Sequence, residues 1–167
     1  MNSDVAAARV PLLIVVSSPS GGGKTTLCDR LLSERPDVMY SVSCTTRQPR
    51  GAEVNGTDYY FVSVDEFQGM VRAGKFLEYA RVHGNLYGTL RQTVLEAMRR
   101  GKSVLMDIDV VGARQVREAL ARLPEDDSLR CGHVDIFIAP PSLDVLRGRL
   151  ERRGEDNRES IDRRMSN

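Results

Sequence analysis

Residues 12–16, Leu-Leu-Ile-Val-Val, and residues 17–25, Ser-Ser-Pro-Ser-Gly-Gly-Gly-Lys-Thr, decide the fold. The apolar, branched run is typical of a buried strand in a parallel sheet. The glycines follow as a turn, and Lys24–Glu34 then has the leucine spacing of a helix. A strand, a glycine-rich turn and a helix in this order predict a loop that binds phosphate groups through backbone N–H groups and the helix N-terminus.

In such a phosphate loop, Lys24 is expected to reach the β- and γ-phosphates of a nucleotide. The Thr25 hydroxyl is expected to bind Mg²⁺. Ser18 replaces the first glycine of the usual pattern, and a strained φ at that position would be costly for serine. The alternative is a glycine-rich turn without a ligand. The predicted ATP-binding residues are Ser18, Pro19, Ser20, Gly21, Gly22, Gly23, Lys24, Thr25 and Thr26.

Two later segments, Ser103–Ile108 and residues 134–139, repeat the buried-strand pattern. Helical spacing follows each of them, at residues 110–123 and 142–152. Alternating strands and helices predict an α/β protein, in which helices flank both faces of a parallel sheet core.

Two carboxylates, Asp107 and Asp109, stand at the end of the predicted strand at residues 103–108. Alternation places both on one face, where carboxylates are costly unless they meet a cation or hydrogen-bond donors. We predict that Asp107 shares a magnesium site with Thr25. For Asp109 the alternative is an N-cap of the following helix.

The middle of the chain, residues 43–89, has a different pattern. It is polar and rich in turns at first, and then predicts a short helix at 64–73 and a strand at 76–82. This predicts an α+β subdomain inserted into the core. Arg47 and Arg50 lie in its hydroxyl-rich first loop, and arginine forks suit phosphate oxygens. A solvated basic loop is the alternative.

Composition limits the partners. The formal net charge is +1, from 24 basic and 23 acidic side chains, so we expect no nucleic-acid partner. The longest apolar run, residues 10–16, is too short to span a membrane. Three cysteines without a CxxC pair favour neither disulfides nor zinc, and predict a reducing, cytoplasmic setting. The sequence does not predict an oligomeric state.

Further motifs accompany the phosphate loop: Ser-Val-Ser-Cys-Thr-Thr-Arg-Gln-Pro-Arg at 41–50, and others at 53–56, 58–62, 76–80, 84–89, 105–109 and 138–142. Together they resemble the guanylate kinase family over essentially the whole chain after Val10. The resemblance implies a P-loop kinase that transfers the γ-phosphate of Mg·ATP to GMP. It also implies a single domain with a core at 10–42 and 90–142, a GMP-binding subdomain at 43–89 and an arginine-rich lid at about 143–164.

The resemblance also implies roles for individual residues. Those implied to hold the GMP phosphate are Arg47, Arg50, Tyr59 and Tyr87, and the GMP-binding set also includes Glu53. Those implied to read guanine are Ser43, Glu78, Thr89 and Asp109. A carboxylate such as Glu78 suits the N1–H and N2–H donors of guanine, and a hydroxyl suits O6. Alternation alone would place Glu78 on the surface of its strand.

Seven arginines lie between Arg147 and Arg164, interleaved with acidic residues. A solvated, salt-bridged helix pair explains several of them. The resemblance implies that Arg149, Arg153 and Arg164 meet the ATP phosphates and act in catalysis together with Lys24.

Two departures from the family pattern are the serine at position 18 and the C-terminus. The family continues beyond residue 167 with a further strand and helix, so a chain ending there is expected to leave a sheet edge open and to bind ATP weakly. Two alternatives to a guanylate kinase are a catalytically weak or inactive binding module of the same fold and a P-loop kinase for another nucleotide.

Overall fold

The computed structural model describes residues 10–19 and 23–153, without the side chains of 149–153. Its elements, in chain order, are β1 (Leu13–Ser17), α1 (Lys24–Glu34), β2 (Val38–Tyr40), β3 (Cys44–Thr45), β4 (Tyr60–Phe61), α2 (Val64–Arg72), β5 (Phe76–Val82), β6 (Asn85–Leu90), α3 (Arg91–Arg99), β7 (Ser103–Ile108), α4 (Val110–Ala121), α5 (Ser128–Cys131), β8 (His133–Phe137) and α6 (Leu143–Arg153). None of the described helices is long and apolar enough to cross a membrane.

The core sheet has the order β2-β7-β1-β8, and its described strands are all parallel. β1 lies inside the sheet and is buried throughout. Leu13 and Val15 on one face pack with side chains of α3 and α4, whereas Ile14 and Val16 on the other pack with Cys28 of α1. The predicted α/β fold, with a parallel sheet core flanked by helices on both faces, is therefore confirmed.

Residues 44–90 form a second sheet with the order β4-β3-β6-β5. β6 is antiparallel to both of its neighbours, while β3 and β4 are parallel. α2 begins with a capping box between Ser63 and Glu66 and packs Phe67 on Phe76, with ring centres 4.5 Å apart. This mixed sheet and its helix match the α+β character predicted for the middle of the chain.

Several elements were not predicted: β2, β3, β4, β6, α3 and α5. β3 and β4 have two residues each, too few to show a period. β6 contains Gly88 and polar residues, and it forms because it pairs on both sides with neighbours distant in sequence. Tertiary pairing here outweighs weak local β-propensity.

Candidate active site

A cleft of about 260 Å³ lies where the carboxyl ends of the core strands face the second sheet. Both sheets contribute to its walls, since β2 and β7 bring Tyr40 and Asp107 while β5 and β6 bring Glu78 and Tyr87. The remaining lining residues are Ser41, Ser43, Asp58, Tyr59, Ala80, Val82, Ile108 and Asp109. Ligands of open α/β sheets characteristically bind at this end of the strands.

The segment predicted to be a phosphate loop lies between β1 and α1, so the predicted order of strand and helix is present. Gly23, the N-cap of α1, has a φ of +97°, which only glycine adopts without strain. Ser18 is buried, and among the described residues His83 is the only non-glycine with a positive φ. The expected strain at Ser18 is therefore not present, and its hydroxyl instead donates to the Pro19 carbonyl at 2.8 Å. Ser20, Gly21 and Gly22 lie outside the described residues.

The Lys24 side chain, at the start of α1, forms an ion pair with Asp107 of β7. Its Nζ lies 3.7 Å from Asp107 Oδ1 and 3.4 Å from Ser18 Oγ, and both partners of the ion pair are largely buried. Burial raises the pKa of the Asp107 carboxyl above its ordinary value, and Lys24 opposes that rise. Thr25 and Thr26 form the exposed first turn of α1.

Glu78 is 8% exposed, so the surface position predicted from alternation is wrong. A register shift in β5 between Phe76 and Glu78 breaks the alternation, and the adjacent Leu77 and Glu78 are both buried. Thr89 donates its hydroxyl proton to Glu78 Oε1 at 2.7 Å. Burial, with a smaller contribution from Asp109, raises the pKa of the Glu78 carboxyl above its ordinary value.

Asp109 is the N-cap of α4, which is the alternative that the sequence left open for this residue. It follows the end of β7, and its Oδ1 accepts a hydrogen bond from the Gly112 backbone N–H at 2.7 Å. The residue also lines the cleft, close enough to Glu78 to influence its pKa. The cap thus orients a carboxylate beside Glu78, and the guanine-reading role of Asp109 stays a prediction.

Arg47 is 9% exposed, which excludes the solvated-loop alternative for this residue. Its NH1 and NH2 each donate to a Glu53 carboxylate oxygen at 2.9 Å, and NH1 also donates to the Gln48 carbonyl. Its Cζ lies 5.2 Å from the centre of the Tyr59 ring, which lines the cleft. These contacts hold the pKa of Glu53 below its ordinary value and that of Arg47 above it.

Arg50 differs from Arg47. Its side chain is exposed and it does not line the cleft, although its backbone N–H donates to Glu53 at 2.7 Å. The structure therefore brings together Ser43, Tyr59, Glu78, Tyr87, Asp107 and Asp109 in one cleft. Of the other predicted GMP-binding residues, Arg47 and Thr89 contact residues that line it, Glu53 binds Arg47, and none of these, nor Arg50, is itself a lining residue. The side chains of Arg149 and Arg153, and all of Arg164, lie outside the described residues.

The family profile described as "Guanylate kinase" matches residues 11–167. The chain belongs to the guanylate kinase family. The guanylate kinase of Maricaulis maris (strain MCS10) is 50% identical over 158 residues, which cover 95% of this chain and 68% of that protein. The guanylate kinase of Geobacter metallireducens (strain ATCC 53774 / DSM 7210 / GS-15) is 47% identical over 157 residues, covering 94% and 72%.

A solved structure is also similar. The crystal structure of guanylate kinase from Anaplasma phagocytophilum has a TM-score of 0.58 and 34% sequence identity, and the match covers 92% of this chain and 82% of that one. Membership of the guanylate kinase family and the α/β fold therefore rest on both sequence and structure.

Sequence reasoning on the guanylate kinase pattern missed Tyr40. The residue ends β2 and lines the cleft, and although it is 47% exposed, partial burial of its phenol and the Asp107 carboxylate raise the pKa of that phenol. Its position directly before the Ser-Val-Ser motif was the available signal. Asp58, Ala80 and Val82, which also line the cleft, carried no comparable signal.

Replacing Glu78 with glutamine is expected to raise protein stability and weaken GMP binding together. Glutamine can still accept the Thr89 hydrogen bond, but it removes a buried charge. The pKa of Glu78 is higher in the folded protein than its ordinary value of 4.5. Ionisation of Glu78 therefore lowers the stability of the fold as the pH rises from 4.5 to the folded-state pKa. The melting temperature of Glu78→Gln should therefore exceed that of the parent at pH 8, and the difference should vanish near pH 4.

Calorimetric titration of the same variant should show GMP affinity lower by roughly tenfold to a hundredfold at pH 8, since an amide presents a donor to guanine N–H groups. Glu66→Gln is a poor comparison because it breaks the α2 capping box. Glu118→Gln, on the exposed side of α4, is the matched control. Unchanged GMP affinity would remove Glu78 from the guanine site.

Proposed function

We propose that the chain transfers the γ-phosphate of ATP to GMP, giving ADP and GDP, and that GMP binds in the cleft between the two sheets. Family membership supports the reaction. The observation that carries the substrate choice is the buried Glu78 carboxylate in that cleft, held by Thr89 and flanked by Asp109. A buried carboxylate needs donors, and guanine supplies two adjacent ones, N1–H and N2–H.

Adenine presents an acceptor where guanine presents N1–H. An AMP base in the same position would leave Glu78 facing a lone pair, and buried unpaired polar groups typically reject such a ligand strongly. The Thr89 hydroxyl already donates its proton to Glu78. We therefore propose that the Ser43 hydroxyl, which lines the cleft, donates to guanine O6.

The GMP phosphate is proposed to meet Tyr59, Tyr87 and Arg47. Both tyrosines line the cleft, with ring centres 6.0 Å apart. The Arg47 guanidinium is held by Gln48 and Glu53 and also interacts with the Tyr87 hydroxyl, so it stands beside both tyrosines. Glu53 then acts by holding the Arg47 fork in place, and Arg50 is proposed to reach the phosphate from the margin of the cleft.

ATP is proposed to bind the phosphate loop, residues 18–26, with its β- and γ-phosphates at Lys24. The Thr25 hydroxyl and the Asp107 carboxylate are oxygen donors, which Mg²⁺ prefers, and they stand beside the loop. Magnesium held by one or two protein oxygens and substrate phosphates neutralises negative charge on those phosphates. Lys24, paired with Asp107 in the structure, can exchange that partner for phosphate oxygens.

The reaction needs no protein nucleophile. An oxygen of the GMP phosphate attacks the γ-phosphorus, the bond from that phosphorus to the β,γ-bridging oxygen breaks, and ADP leaves. Lys24 stabilises the charge that spreads over the transferring group, and we propose that Arg149, Arg153 and Arg164 do the same. A cytoplasmic setting is also proposed, and the three unpaired thiols, Cys28, Cys44 and Cys131, support it.

The test is ADP production by the chain from Mg·ATP with GMP, with AMP and with neither. We expect turnover that depends on GMP and is at least a hundredfold slower with AMP. Equal turnover with AMP would favour a kinase for another nucleotide. GMP binding without any turnover would favour a binding module of the same fold.

A further inference from the structure

Gln115 on α4 makes a paired contact with the backbone of β5. Its Oε1 accepts from the Tyr79 N–H at 3.1 Å, and its Nε2 donates to the Tyr79 carbonyl at 3.1 Å. The two residues are 36 positions apart in sequence and belong to different parts of the fold. One side-chain amide therefore satisfies both backbone groups of a single strand residue.

β5 is the outer strand of the second sheet, with β6 on its other side. The Tyr79 N–H and carbonyl point away from β6, where the next strand of a sheet would bind. The Gln115 amide makes the two hydrogen bonds that a paired strand residue would make. It thereby joins the edge of the second sheet to a helix of the core.

The residues beside this contact give it a consequence. Tyr79 directly follows Glu78, and Gln115 lies on the helix whose N-cap is Asp109. Glu78 and Asp109 are the two carboxylates proposed to read guanine. Glu78 lies on β5 of the second sheet, whereas Asp109 follows β7 of the core sheet. Like charges repel, so the spacing of the two carboxylates depends on how β5 is held against α4, and the Gln115 amide is a direct contact between those two elements.

We propose that Gln115 is a positioning residue for guanine recognition, which fixes the spacing of Glu78 and Asp109 by binding the Tyr79 backbone. The proposal rests on the proposed roles of those two carboxylates. Gln115 itself does not line the cleft, and the proposal assigns it no contact with substrate. Replacing Gln115 should therefore change GMP affinity and the preference for guanine, and should change the KM for ATP little.

The chemistry of the contact provides a discriminating variant. Gln115→Met keeps the length of an unbranched side chain and removes both hydrogen bonds. Gln115→Glu keeps the acceptor for the Tyr79 N–H, but its second carboxylate oxygen faces the Tyr79 carbonyl. Protonation of that oxygen restores a donor, so a glutamic acid at position 115 mimics glutamine at low pH only.

The experiment measures GMP dissociation constants by calorimetry between pH 5 and pH 8, together with KM for ATP and kcat/KM for GMP and for inosine monophosphate, which lacks the 2-amino group. Gln115→Met should weaken GMP binding about tenfold at every pH and narrow the preference for GMP over inosine monophosphate. Gln115→Glu should match it at pH 8 and approach the parent as pH falls to 5. Each value is taken as a ratio to the parent chain at the same pH, because Glu78 titrates in all the proteins.

Gln68→Met and Gln68→Glu, on the exposed face of α2, are matched controls and should bind GMP as the parent does. The proposal is overturned if the Gln115 variants raise the KM for ATP by the same factor by which they weaken GMP binding, and if Gln115→Glu does not recover at low pH. Gln115 would then only stabilise the fold. Unchanged GMP affinity in both Gln115 variants would overturn the proposal as well. If the parent chain binds no GMP, the proposed function itself fails.

Discussion

Replacing Lys24 with methionine is expected to lower kcat about a thousandfold and to leave GMP affinity nearly unchanged. The Lys24 ammonium stands at the start of α1, beside Ser18 and Asp107, where the transferring phosphoryl group is proposed to lie. Phosphoryl transfer depends on positioning and charge neutralisation, so loss of this cation acts on the transition state. The measurement is ADP production at saturating ATP and GMP.

The matched control is Arg30→Met, which removes an exposed cation that pairs with Glu34 at 2.8 Å on the same helix. It should keep kcat within a factor of about two. If Lys24→Met keeps kcat within tenfold of the parent value, the transferring phosphoryl group does not lie beside Lys24 and the prediction is wrong.

Lys24→Met should also change how stability depends on pH. Burial already raises the Asp107 pKa, and Lys24 opposes that rise, so the variant has an Asp107 pKa that is higher still. An acid with a raised folded-state pKa destabilises the fold as pH rises through that pKa. The melting temperature of the variant should therefore fall below that of the parent more at pH 8 than at pH 5, and Lys24→Met with Asp107→Asn should recover most of the loss.

The second large effect is expected at Arg47. Arg47→Met should raise the KM for GMP about a hundredfold, because a bidentate guanidinium is lost from beside Tyr59. The variant also deprives the Glu53 carboxylate of the two side-chain bonds that, with the Arg50 backbone N–H, hold its pKa down. Its melting temperature should fall as well. Steady-state kinetics in GMP and thermal unfolding measure the two effects separately.

Three further variants separate binding from stability. Arg47→Lys should remain defective, since one ammonium cannot replace the planar fork. Arg47→Met combined with Glu53→Gln should regain melting temperature without regaining GMP affinity. Arg50→Met should have the smaller effect on KM, because Arg50 is exposed whereas Arg47 is buried beside Tyr59, which lines the cleft. If Arg50→Met has the larger effect, the assignment of the phosphate to Arg47 is wrong.

β1 and β7 were predictable from sequence because they are mostly buried and read as continuous apolar runs. β8 was found from a similar apolar run, within one or two residues at its ends, but the burial predicted for it is wrong, because residues 134–137 are exposed at the edge of the described sheet. β2 and β6 were not predictable, because three residues give no period and a strand that contains Gly88 depends on its partners. The α+β character of the middle segment was visible, and its strand order was not.

The site divides in the same way. Lys24 and Asp107 were predictable as partners because their positions follow from strand and helix ends. Glu78 was placed on the surface by alternation and is buried, since the bulge at Phe76–Glu78 cannot be seen in a sequence. Arg47 and Arg50 looked equivalent, and only Glu53, three and six positions further along, distinguishes them. The contact of Gln115 with Tyr79 needs the packing of α4 on β5.

The two sheets share no strand among the described residues. Rotation of one sheet relative to the other can therefore leave the pairing inside each sheet intact and change torsion angles mainly at residues 41–43 and 90–91, where the chain passes between them. Hinge motions of this kind occur on the order of microseconds to milliseconds, and this one would require no separation of paired strands. Because the Tyr79–Gln115 contact joins β5 to α4 next to Glu78, a rotation that kept this contact would open the cleft elsewhere and leave Glu78 close to Asp109.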